Sequence, residues 1–424
     1  MPQLQRACGL VLLLSLLLAA CTSVPAAAPV VPTQAPVAQA VAPVPTNSPV
    51  AQAAAPTDAT AAARQTPEQA RTTTPTPEPP ATPETRQHNT PTPVTQIAPD
   101  ISMKPIVDGV LVPMAMTFAP DGRMFFNEVS KGTVRILGAD GTLQDEPFVQ
   151  LRVARRKEMG ALGLALHPDF ANNRWVYVYY SQARNDVGDP EDNRIVRFTE
   201  VDGQATERTV IMRDLPAGIC CHNGGRIGFG RDGKLYATVG DVNDEGRAQV
   251  LRRLNGKVLR LNDDGSVPSD NPDPSSPVYA MGFRNPYGLA FHPQTGVPYI
   301  TENGEVGHDE VNRIVAGGNY GNPVAEGIVQ KEGFIDPIWE TARGRIAPSG
   351  GTFYTGTAMP EYTGDFFFCS YNTGDLTRMR FGGPDFDTLE QHEVLARICY
   401  LDVVNAPDGS LYIAGVTGIT RFGR

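Results

Sequence analysis

The segment with the most distinctive chemistry is Cys220-Cys221-His222-Asn223-Gly224-Gly225-Arg226, which stands just before a strand pattern. A neutral imidazole accepts a proton from a substrate hydroxyl at neutral pH. Paired glycines allow another backbone to approach closely. His222 is therefore a candidate general base, and the competing interpretation is a purely structural histidine.

Two further segments could bind anions and cations. Arg284 and Asn285 lie within the sequence MGFRNPYG at 281–288, where Arg284 would supply a fixed cation for an oxyanion or carboxylate. Its alternative is a structural ion pair. Residues 301–310 place four acids within nine positions and lead into residues 317–323. Carboxylates and carbonyls interleaved with glycine suit a hard cation such as Ca²⁺, and a solvated acidic loop is the alternative.

These segments lie among six copies of a repeated turn. Each copy is an apolar residue, a Pro-Asp-Gly turn or a relative of it, and an apolar strand. The turn residues stand about 43 to 71 positions apart and are Asp121, Asp169, Asp232, Gln294, Asp365 and Asp408. Short β-branched and aromatic runs separated by turn residues indicate strands, and no long amphipathic helix is indicated from Ile101 onward. Six units of this size predict an all-β fold, a six-bladed β-propeller over residues 101–424.

The composition divides the 424-residue chain in two. All but one of the glycines follow position 100, and the first aromatic residue is Phe118. Residues 22–98 are mostly Ala, Pro, Thr, Val and Gln, which predicts a disordered linker. Residues 101–424 hold 32 basic and 41 acidic residues, a net charge of −9 within a total of −10. This acidic balance argues against nucleic acid as a partner.

The N-terminus predicts export and lipidation. The apolar run Leu10–Ala20 is shorter than the ~20 residues that span a bilayer, so residues 1–20 are predicted to be a signal peptide. The run ends in Leu-Ala-Ala-Cys21, which resembles the lipobox of bacterial lipoproteins. We therefore expect Cys21 to carry lipid, residues 21–100 to be lipidated cysteine and linker, and the protein to lie in the cell envelope, anchored on the extracytoplasmic side of a bacterial membrane. A cleaved secretory signal with an incidental cysteine is the alternative.

The order and spacing of the globular segments resemble the soluble PQQ-dependent aldose dehydrogenase family, the glucose/sorbosone dehydrogenase group, whose members are six-bladed propellers. The resemblance runs from about Met114 to Phe422. It is carried by GALGLALHPDF at 160–170, HNGGR at 222–226, LNGK at 254–257 with DNP at 270–272, GFRNP at 282–286, and Asp309-Glu310 with Asn319-Tyr320-Gly321.

The resemblance implies a role for each candidate residue. His222 would be the general base for oxidation of an aldose or a related sugar or alcohol at its anomeric hydroxyl, with hydride passing to PQQ. Arg284, with a catalytic role, and Asn285 would contact PQQ. Two Ca²⁺ ions are also implied, one held beside PQQ by the carbonyls of Gly304 and Glu305 and a structural one held by Glu310 and Tyr320. The implied partners are a small sugar, an electron acceptor that the sequence does not identify, and the membrane through the N-terminal lipid.

Four positions depart from the family pattern. The substrate-contacting Gln is replaced by Glu158, and the acid that precedes the catalytic His in some members is Cys221. The cofactor-binding Lys falls near Asn372, and an Arg-x-Arg pair falls on Cys399-Tyr400-Leu401. Three cations that would neutralise PQQ carboxylates are therefore missing. Candidate replacements are Arg345, Arg378 and Arg397.

The resemblance also places Cys220, Cys221, Cys369 and Cys399 at or near pocket positions. Disulfides are favoured outside the cytoplasm, and four cysteines allow three pairings. We expect them to cross-link the pocket, most simply with Cys369 or Cys399 bonded to one of the adjacent pair. A vicinal Cys220–Cys221 bond and a thiolate/His222 metal site are alternatives.

Two other functions compete with the dehydrogenase. One is a non-redox, carbohydrate-binding propeller lipoprotein that has lost cofactor affinity, favoured by the missing cations. The other is a metal-dependent lactonase, which would need inward ligands such as Glu158, Asn223 and Asp241.

Overall fold

The computed structural model describes residues 94–424, which form six four-stranded antiparallel sheets. The first is β2 (Met116–Phe118), β3 (Met124–Glu128), β4 (Thr133–Leu137) and β5 (Val149–Gln150). The second is β6 (Ala161–Leu166), β7 (Trp175–Ala183), β8 (Pro190–Val201) and β9 (Gln204–Leu215). The third is β10 (Gly224–Phe229), β11 (Leu235–Val239), β12 (Lys257–Leu261) and β13 (Val278–Met281).

The remaining three sheets complete the set. The fourth is β14 (Pro286–Phe291), β15 (Pro298–Glu302), β16 (Glu310–Arg313) and β17 (Trp339–Glu340). The fifth is β18 (Pro348–Phe353), β19 (Phe366–Ser370), β20 (Asp375–Gly382) and β21 (Thr388–Arg397). The sixth is β22 (Asp402–Asn405), β23 (Leu411–Ala414), β24 (Gly418–Gly423) and β1 (Ser102–Asp108). The described helices are short: α1 (Phe170–Asn173) and two 3₁₀ segments, Glu245–Gln249 and Pro360–Tyr362.

The six sheets are the blades of a propeller. The first strands of neighbouring blades contact one another around a closed ring, from β2 through β6, β10, β14, β18 and β22 back to β2. Blade six takes its outer strand from the N-terminal side of the ring, since β1 pairs with β24 from Ser102–Gly423 to Asp108–Gly418. This pairing joins the two ends of the propeller in one sheet. The predicted six-bladed, all-β fold is confirmed, whereas the signal peptide, Cys21 and nearly all of the linker lie outside the described residues.

The six predicted turns all join the first strand of a blade to its second. In three of them the Asp side chain accepts a hydrogen bond from the backbone two residues later, as Asp121 does from Arg123 N (3.2 Å), Asp232 from Lys234 N (3.1 Å) and Asp408 from Ser410 N (3.0 Å). The following Gly122 and Gly233 have φ of 86° and 72°, a left-handed conformation that glycine adopts at little cost. This local chemistry explains why the turn is visible in the sequence.

Because strands alternate in direction, the loops that enter the first strands emerge at the same end of the ring as the loops between second and third strands. We call this end the site end. The end that carries the six repeated turns is called the hairpin end. All the candidate segments, from Glu158 to Asn372, lie at the site end or in the strand termini beside it.

Aromatic side chains fill the space between blades. Between blades one and two, Phe125 packs edge-on against Phe148 and Phe170, with ring centroids 5.5 and 5.8 Å apart. Between blades four and five, Tyr299 packs on Phe353 and Phe381 at 5.0 and 5.3 Å. These side chains are almost fully buried, and burying each stabilises the folded state by about 1.5–3 kcal/mol.

A buried ion pair ties the blades together at the axis. Arg226 of β10 donates from Nη1 to Asp402 Oδ2 of β22 (3.2 Å), and the same oxygen accepts from Met116 N of β2 (2.9 Å). Arg226 Nε also reaches the Tyr287 carbonyl of β14 at 3.4 Å. Gly350 of β18 leaves no room for a side chain, since a Cβ there would lie 2.0 Å from Asp402 Oδ1. Five inner strands therefore meet at this pair.

Candidate active site

The loop between β9 and β10 holds His222 in an unusual backbone conformation. His222 has φ of 57°, and Gly224 and Gly225 follow with φ of 60° and 103°. The blade-three loop passes so close that a Cβ on Gly240 would lie 1.9 Å from the His222 carbonyl oxygen. Glycine is therefore required at Gly240, and the imidazole is held in place by packed backbone.

His222 is paired with a buried carboxylate. Its Nδ1 lies 2.8 Å from Asp241 Oδ1 at the end of β11, and the exposed fractions are 7% for His222 and 0% for Asp241. Asp241 also accepts hydrogen bonds from Asn243 N at 2.8 Å and Asn322 Nδ2 at 3.2 Å. With Nδ1–H donated to Asp241, Nε2 carries the free lone pair, and no residue within 94–424 hydrogen-bonds to it. This arrangement suits a general base.

Glu158 connects this pair to the neighbouring blades. Its Oε2 accepts from His222 N at 2.8 Å and from Asn285 Nδ2 at 3.2 Å. Asn285 in turn accepts from Gly224 N through Oδ1 at 3.2 Å. Loops from three blades are thus fixed around His222. Glu158 and Asn285, predicted for substrate and cofactor, are brought together with the predicted base.

A cleft of about 370 Å³ opens beside Glu158, within the range of small-molecule sites. Tyr287, Asn303 and Tyr371 also line it; the rest of the lining is Val112, Met114, Val129, Ser130, Lys157, Ala347, Pro348, Ser349 and Leu401. His222 does not itself line this volume and adjoins it through Glu158. The cleft combines aromatic rings, hydrogen-bonding groups and one cation, as a flat polar ligand requires.

Arg284 lies next to the cleft, above the acidic loop. Its Nη1 donates to the carbonyls of Asn303 and Gly304, each at 3.1 Å, and its backbone N–H donates to Glu302 Oε1. Nε is buried without a partner in the described chain. The guanidinium therefore donates a hydrogen bond to the same Gly304 carbonyl oxygen that the resemblance assigns to Ca²⁺.

A second, smaller cavity of about 10 Å³ lies beneath Arg284, room for about one water-sized sphere. Its lining includes Gly304, Glu310 and Tyr320, together with Gly282, Arg284, Glu302, His308, Asn322, Ala325 and Glu326. Glu302 Oε2 and Asn322 Oδ1 are buried and have no hydrogen-bond partner in the described chain. Unsatisfied buried acceptors are costly, and a bound cation would satisfy both.

The pKa values of the carboxyl groups that line this cavity also favour a bound cation. Burial, followed by the neighbouring Glu310, raises the pKa of Glu302 well above its usual value. Burial raises the pKa of Glu310 to about 8. Burial, followed by Glu305, raises the pKa of Glu326. Without a cation, these carboxylates resist ionising together.

The predicted metal residues are only partly brought together. Gly304, Glu310 and Tyr320 share the small cavity, whereas Glu305 is exposed outside its lining. The Tyr320 hydroxyl donates to the Arg313 carbonyl at 2.6 Å, so a cation could contact only its backbone. Residues 94–424 contain no cluster of three or more His, Cys, Asp or Glu arranged to hold a metal. Of the residues considered for a lactonase metal, which include Asn223, the acids Glu158 and Asp241 belong to no such cluster.

The cations proposed as replacements have different fates. Arg378 donates to Asp365 and Glu393, and Arg397 pairs with Asp375 at 3.1 Å. Arg345 is exposed and has no ion pair within the described chain, two residues before the cleft residue Ala347. Asn372 is exposed, and its Nδ2 donates to the Arg345 carbonyl at 2.9 Å. Arg345 and Lys157 are therefore the cations available to an anionic ligand in the cleft.

The expected cysteine pairing is wrong. Cys220 bonds to Cys221, and Cys369 bonds to Cys399, with Cα–Cα distances of 3.7 and 4.7 Å. Cys369 in β19 lies beside Cys399 because the Ser370 N–H donates to the Cys399 carbonyl at 3.1 Å, so this bond forms within blade five. The adjacent pair lies on the loop between blades two and three. Because all four sulfur atoms are in disulfide bonds, none is a free thiolate, and the predicted thiolate/His222 metal site is also wrong.

Sequence reasoning missed the residues that complete the site. Asp241 is predicted from the sequence only as a lactonase ligand. Glu302 and Asn322 belong to the predicted hard-cation segments but are not singled out as ligands, and Glu326 has no predicted role. Asp241 follows the apolar run of β11 after a single residue, Gly240, so its position just beyond a strand end is the available signal. Asn322 reaches the site through the long excursion between β16 and β17, and its position in the predicted cation segment 317–323 is the signal that the sequence offers.

The fold and the site define a propeller with a buried acid–base pair beside a cleft. Residues 110–418 match the family described as Glucose / Sorbosone dehydrogenase, and the chain belongs to this family. The aldose sugar dehydrogenase YliI of Escherichia coli K12 is 28% identical over 338 residues, 74% of this chain and 89% of that protein. Quinoprotein glucose dehydrogenase B of Acinetobacter calcoaceticus is 31% identical over 304 residues, 62% of each chain.

A solved structure agrees with both relatives. The PQQ-bound aldose sugar dehydrogenase of Streptomyces coelicolor is 28% identical, with a TM-score of 0.67, and the match covers 78% of this chain and 99% of that one. The resemblance noted in the sequence is therefore confirmed at the level of the family. The chain is an oxidoreductase of the sugar dehydrogenase type.

Proposed function

We propose that this protein oxidises an aldose or a related sugar or alcohol at its anomeric hydroxyl with PQQ as cofactor. The observation that carries the proposal is the buried His222–Asp241 pair beside a cleft of about 370 Å³. Its support is the family membership and the PQQ-bound form of a related aldose sugar dehydrogenase. The non-redox carbohydrate-binding alternative is not favoured by these relatives.

The protein's part in the reaction is proton removal and positioning. His222 Nε2 accepts the anomeric hydroxyl proton while the C1–H bond pair leaves as hydride, so that a C=O bond forms at C1. Asp241 orients the ring and stabilises the imidazolium that results. Bound PQQ supplies the two-electron hydride acceptor. Glu158, which lines the cleft, accepts hydrogen bonds from substrate hydroxyl groups.

Lys157 and Arg345 are the cations that this chain offers to the PQQ carboxylates. Each charge-assisted hydrogen bond contributes about 1.5–3 kcal/mol. Two such contacts would therefore replace much of the PQQ-binding free energy that the three missing cations would have supplied. Asn285 contributes through the hydrogen bonds that hold Glu158 and the His222 loop together. The Asn372 side-chain amide donates a hydrogen bond to the Arg345 carbonyl, so Asn372 contributes by positioning the segment that carries Arg345.

Ca²⁺ is the second cofactor of the proposal. Glu310, Glu302 and Asn322 would hold it in the small acidic cavity, with backbone carbonyl oxygen from the Tyr320 segment. The support is the pair of unsatisfied buried oxygens and the oxygen-only chemistry of the donors. A Ca²⁺ beside PQQ, on the Gly304 and Glu305 carbonyls, requires Arg284 to release the Gly304 carbonyl.

Reconstitution tests the proposed function directly. The purified chain is loaded with PQQ and Ca²⁺ and assayed by dye reduction with a panel of aldoses. We expect turnover that His222→Ala reduces about 10²–10⁴-fold and that His167→Ala, at the hairpin end, leaves unchanged. No turnover with any sugar after loading, or equal turnover in His222→Ala, would contradict the proposal.

We further propose that Cys21 is lipidated and anchors the protein on the extracytoplasmic side of a bacterial membrane. The support is the lipobox-like sequence after an apolar run in residues 1–20. No helix within residues 94–424 is long and apolar enough to cross a membrane. Labelled palmitate should enter the wild-type protein and not Cys21→Ser, and equal labelling of both would overturn lipidation at this residue.

A further inference from the structure

The most exposed apolar side chains of residues 94–424 all lie at the site end. Ile219 is 81% exposed, Val187 76%, Val306 65% and Leu251 64%. They sit on four different loops: between β7 and β8, β9 and β10, β11 and β12, and β15 and β16. Single exposed apolar residues are ordinary, but the four most exposed ones lie together on the site-end loops of blades two to four, which indicates a surface that contacts something apolar.

Cationic side chains without a partner in the described chain also lie at the site end. Within residues 94–424, eight exposed Lys and Arg side chains make neither an ion pair nor a hydrogen bond to another described residue. Seven of the eight are on site-end loops: Arg155, Lys157, Arg184, Arg252, Arg253, Arg343 and Arg345. The eighth, Lys104, is in β1. Apart from Lys104, every other lysine and arginine of residues 94–424 makes an ion pair, a hydrogen bond or a cation–π contact. The site end therefore holds the cations available to an external anion, and five of the seven remain when Lys157 and Arg345 contact PQQ.

The site end is also positive within an acidic protein. Its loops at 129–132, 151–160, 184–189, 240–256, 282–285, 303–309 and 341–347 carry twelve Lys and Arg against eight Asp and Glu. The excursion at 314–338 adds one Lys and three acids. The propeller as a whole has a net charge of −9 over residues 101–424, so the negative charge is concentrated away from the site end.

We propose that the site end docks on an anionic lipid bilayer. The apolar tips enter the interfacial region, and the cations lie against anionic headgroups, each contributing attraction near the surface. A bilayer accounts for tips on separate loops, because it accepts each side chain independently. The N-terminal sequence also supports a membrane as the partner, because the lipobox-like Cys21 and residues 22–93 would tether the propeller beside one. This inference does not depend on the proposed enzymatic activity.

Vesicle binding tests the proposal without any assay of turnover. The chain from residue 22 onward lacks the signal peptide and the lipid but keeps the propeller, which β1 and β24 close and which has its own core. It is mixed with vesicles of phosphatidylcholine alone or with about 30% phosphatidylglycerol, and bound protein is measured by flotation. We expect at least about tenfold stronger binding to the anionic vesicles, weakened by salt.

Two variant pairs separate the surfaces. Ile219→Ser with Leu251→Ser should lower the partition coefficient about tenfold, and Arg252→Gln with Arg343→Gln should remove most of the preference for phosphatidylglycerol. The matched control is Val201→Ser with Val210→Ser, which changes side chains 49% and 43% exposed on the β8–β9 hairpin and should leave binding unchanged. Circular dichroism verifies that all variants are folded.

Three results would overturn the proposal. One is the absence of binding to anionic vesicles. That result would also be obtained if the true partner of the site end were an acidic protein. Another is binding that the Ile219 and Leu251 substitutions leave unchanged. The third is an equal loss in the Val201 and Val210 control. A tryptophan placed by Leu251→Trp adds an independent readout, because its emission should shift to the blue on anionic vesicles and stay unshifted if the loop remains in water.

Discussion

The contact between the side chains of His222 and Asp241 is the interaction on which the proposed proton transfer depends. Asp241→Asn preserves the size of the side chain but removes the charge that stabilises a protonated imidazole. We expect kcat to fall about 10²–10⁴-fold with little change in the melting temperature. Steady-state kinetics of the loaded enzyme provide the measurement, with Asp140→Asn in an exposed turn at the hairpin end as control. Unchanged kcat in Asp241→Asn would show that the pair is structural.

A second residue-scale prediction concerns His392 of blade five, whose ring stacks on Trp339 with centroids 5.1 Å apart. Burial lowers the pKa of His392 to about 4, below the usual value near 6.5. Between these values the unfolded chain binds the proton and the folded one does not, so stability falls as pH drops from about 6.5 to 4. His392→Phe should reduce, by this one group's contribution, the fall in melting temperature over this range, and an identical pH profile in the variant would contradict the assignment.

The sequence allowed some of these residues to be predicted and not others. His222, Arg284 and Asn285 stand in short runs with glycine and proline, where local composition itself indicates a functional loop. Asp241 is nineteen residues from His222, and its contact depends on how β10 and β11 pair and on the tight approach of Gly240. Such a contact is a consequence of packing, which spacing alone does not specify.

At the scale of structural elements, the Arg226–Asp402 pair holds inner strands together at the axis. Arg226→Met should leave the Asp402 carboxylate buried without its cation, at a cost of about 3–5 kcal/mol. Urea unfolding measures the loss, and adding Asp402→Asn to Arg226→Met should recover part of it because no buried charge remains. A change below about 0.5 kcal/mol in Arg226→Met would show that the pair does not stabilise the ring.

The two disulfides should differ in their effect on stability. Cys369–Cys399 spans 30 residues of chain, so replacing both by Ala should cost about 2–4 kcal/mol through the restored freedom of the unfolded chain. Cys220–Cys221 closes no comparable loop, so the same replacement there should cost less than about 1 kcal/mol. Urea unfolding under oxidising conditions compares the two variants. Equal losses would contradict this explanation.

The elements themselves were predictable because each blade repeats the same turn chemistry. Asp121, Asp232 and Asp408 each accept a backbone hydrogen bond two residues on, and this local interaction favours the same residue types in these three copies. The pairing of the cysteines was not predictable, because Cys369 and Cys399 meet only once β19 and the segment after β21 are in place. Sequence therefore reported the local turns correctly and the long-range bonds incorrectly.

At the scale of the whole molecule, the closed ring separates two surfaces with different properties. The hairpin end carries the repeated turns, while the site end gathers the cleft, the acidic cavity, the exposed apolar tips and the unpaired cations. Pairing of β1 with β24 keeps these loops in fixed relation because it joins the ends of the propeller.

An anaerobic single-turnover experiment on the PQQ-loaded protein, with no electron acceptor present, tests directly whether His222 removes the sugar's proton during oxidation. Adding an aldose should reduce one cofactor per chain, seen as the loss of its oxidised absorption, with wild type at least about a hundredfold faster than His222→Ala. His222→Ala should bind the same amount of PQQ, which isolates the proton transfer from binding. Wild-type protein that binds PQQ but leaves it oxidised with every aldose, or His222→Ala that reduces it at the wild-type rate, would contradict the account.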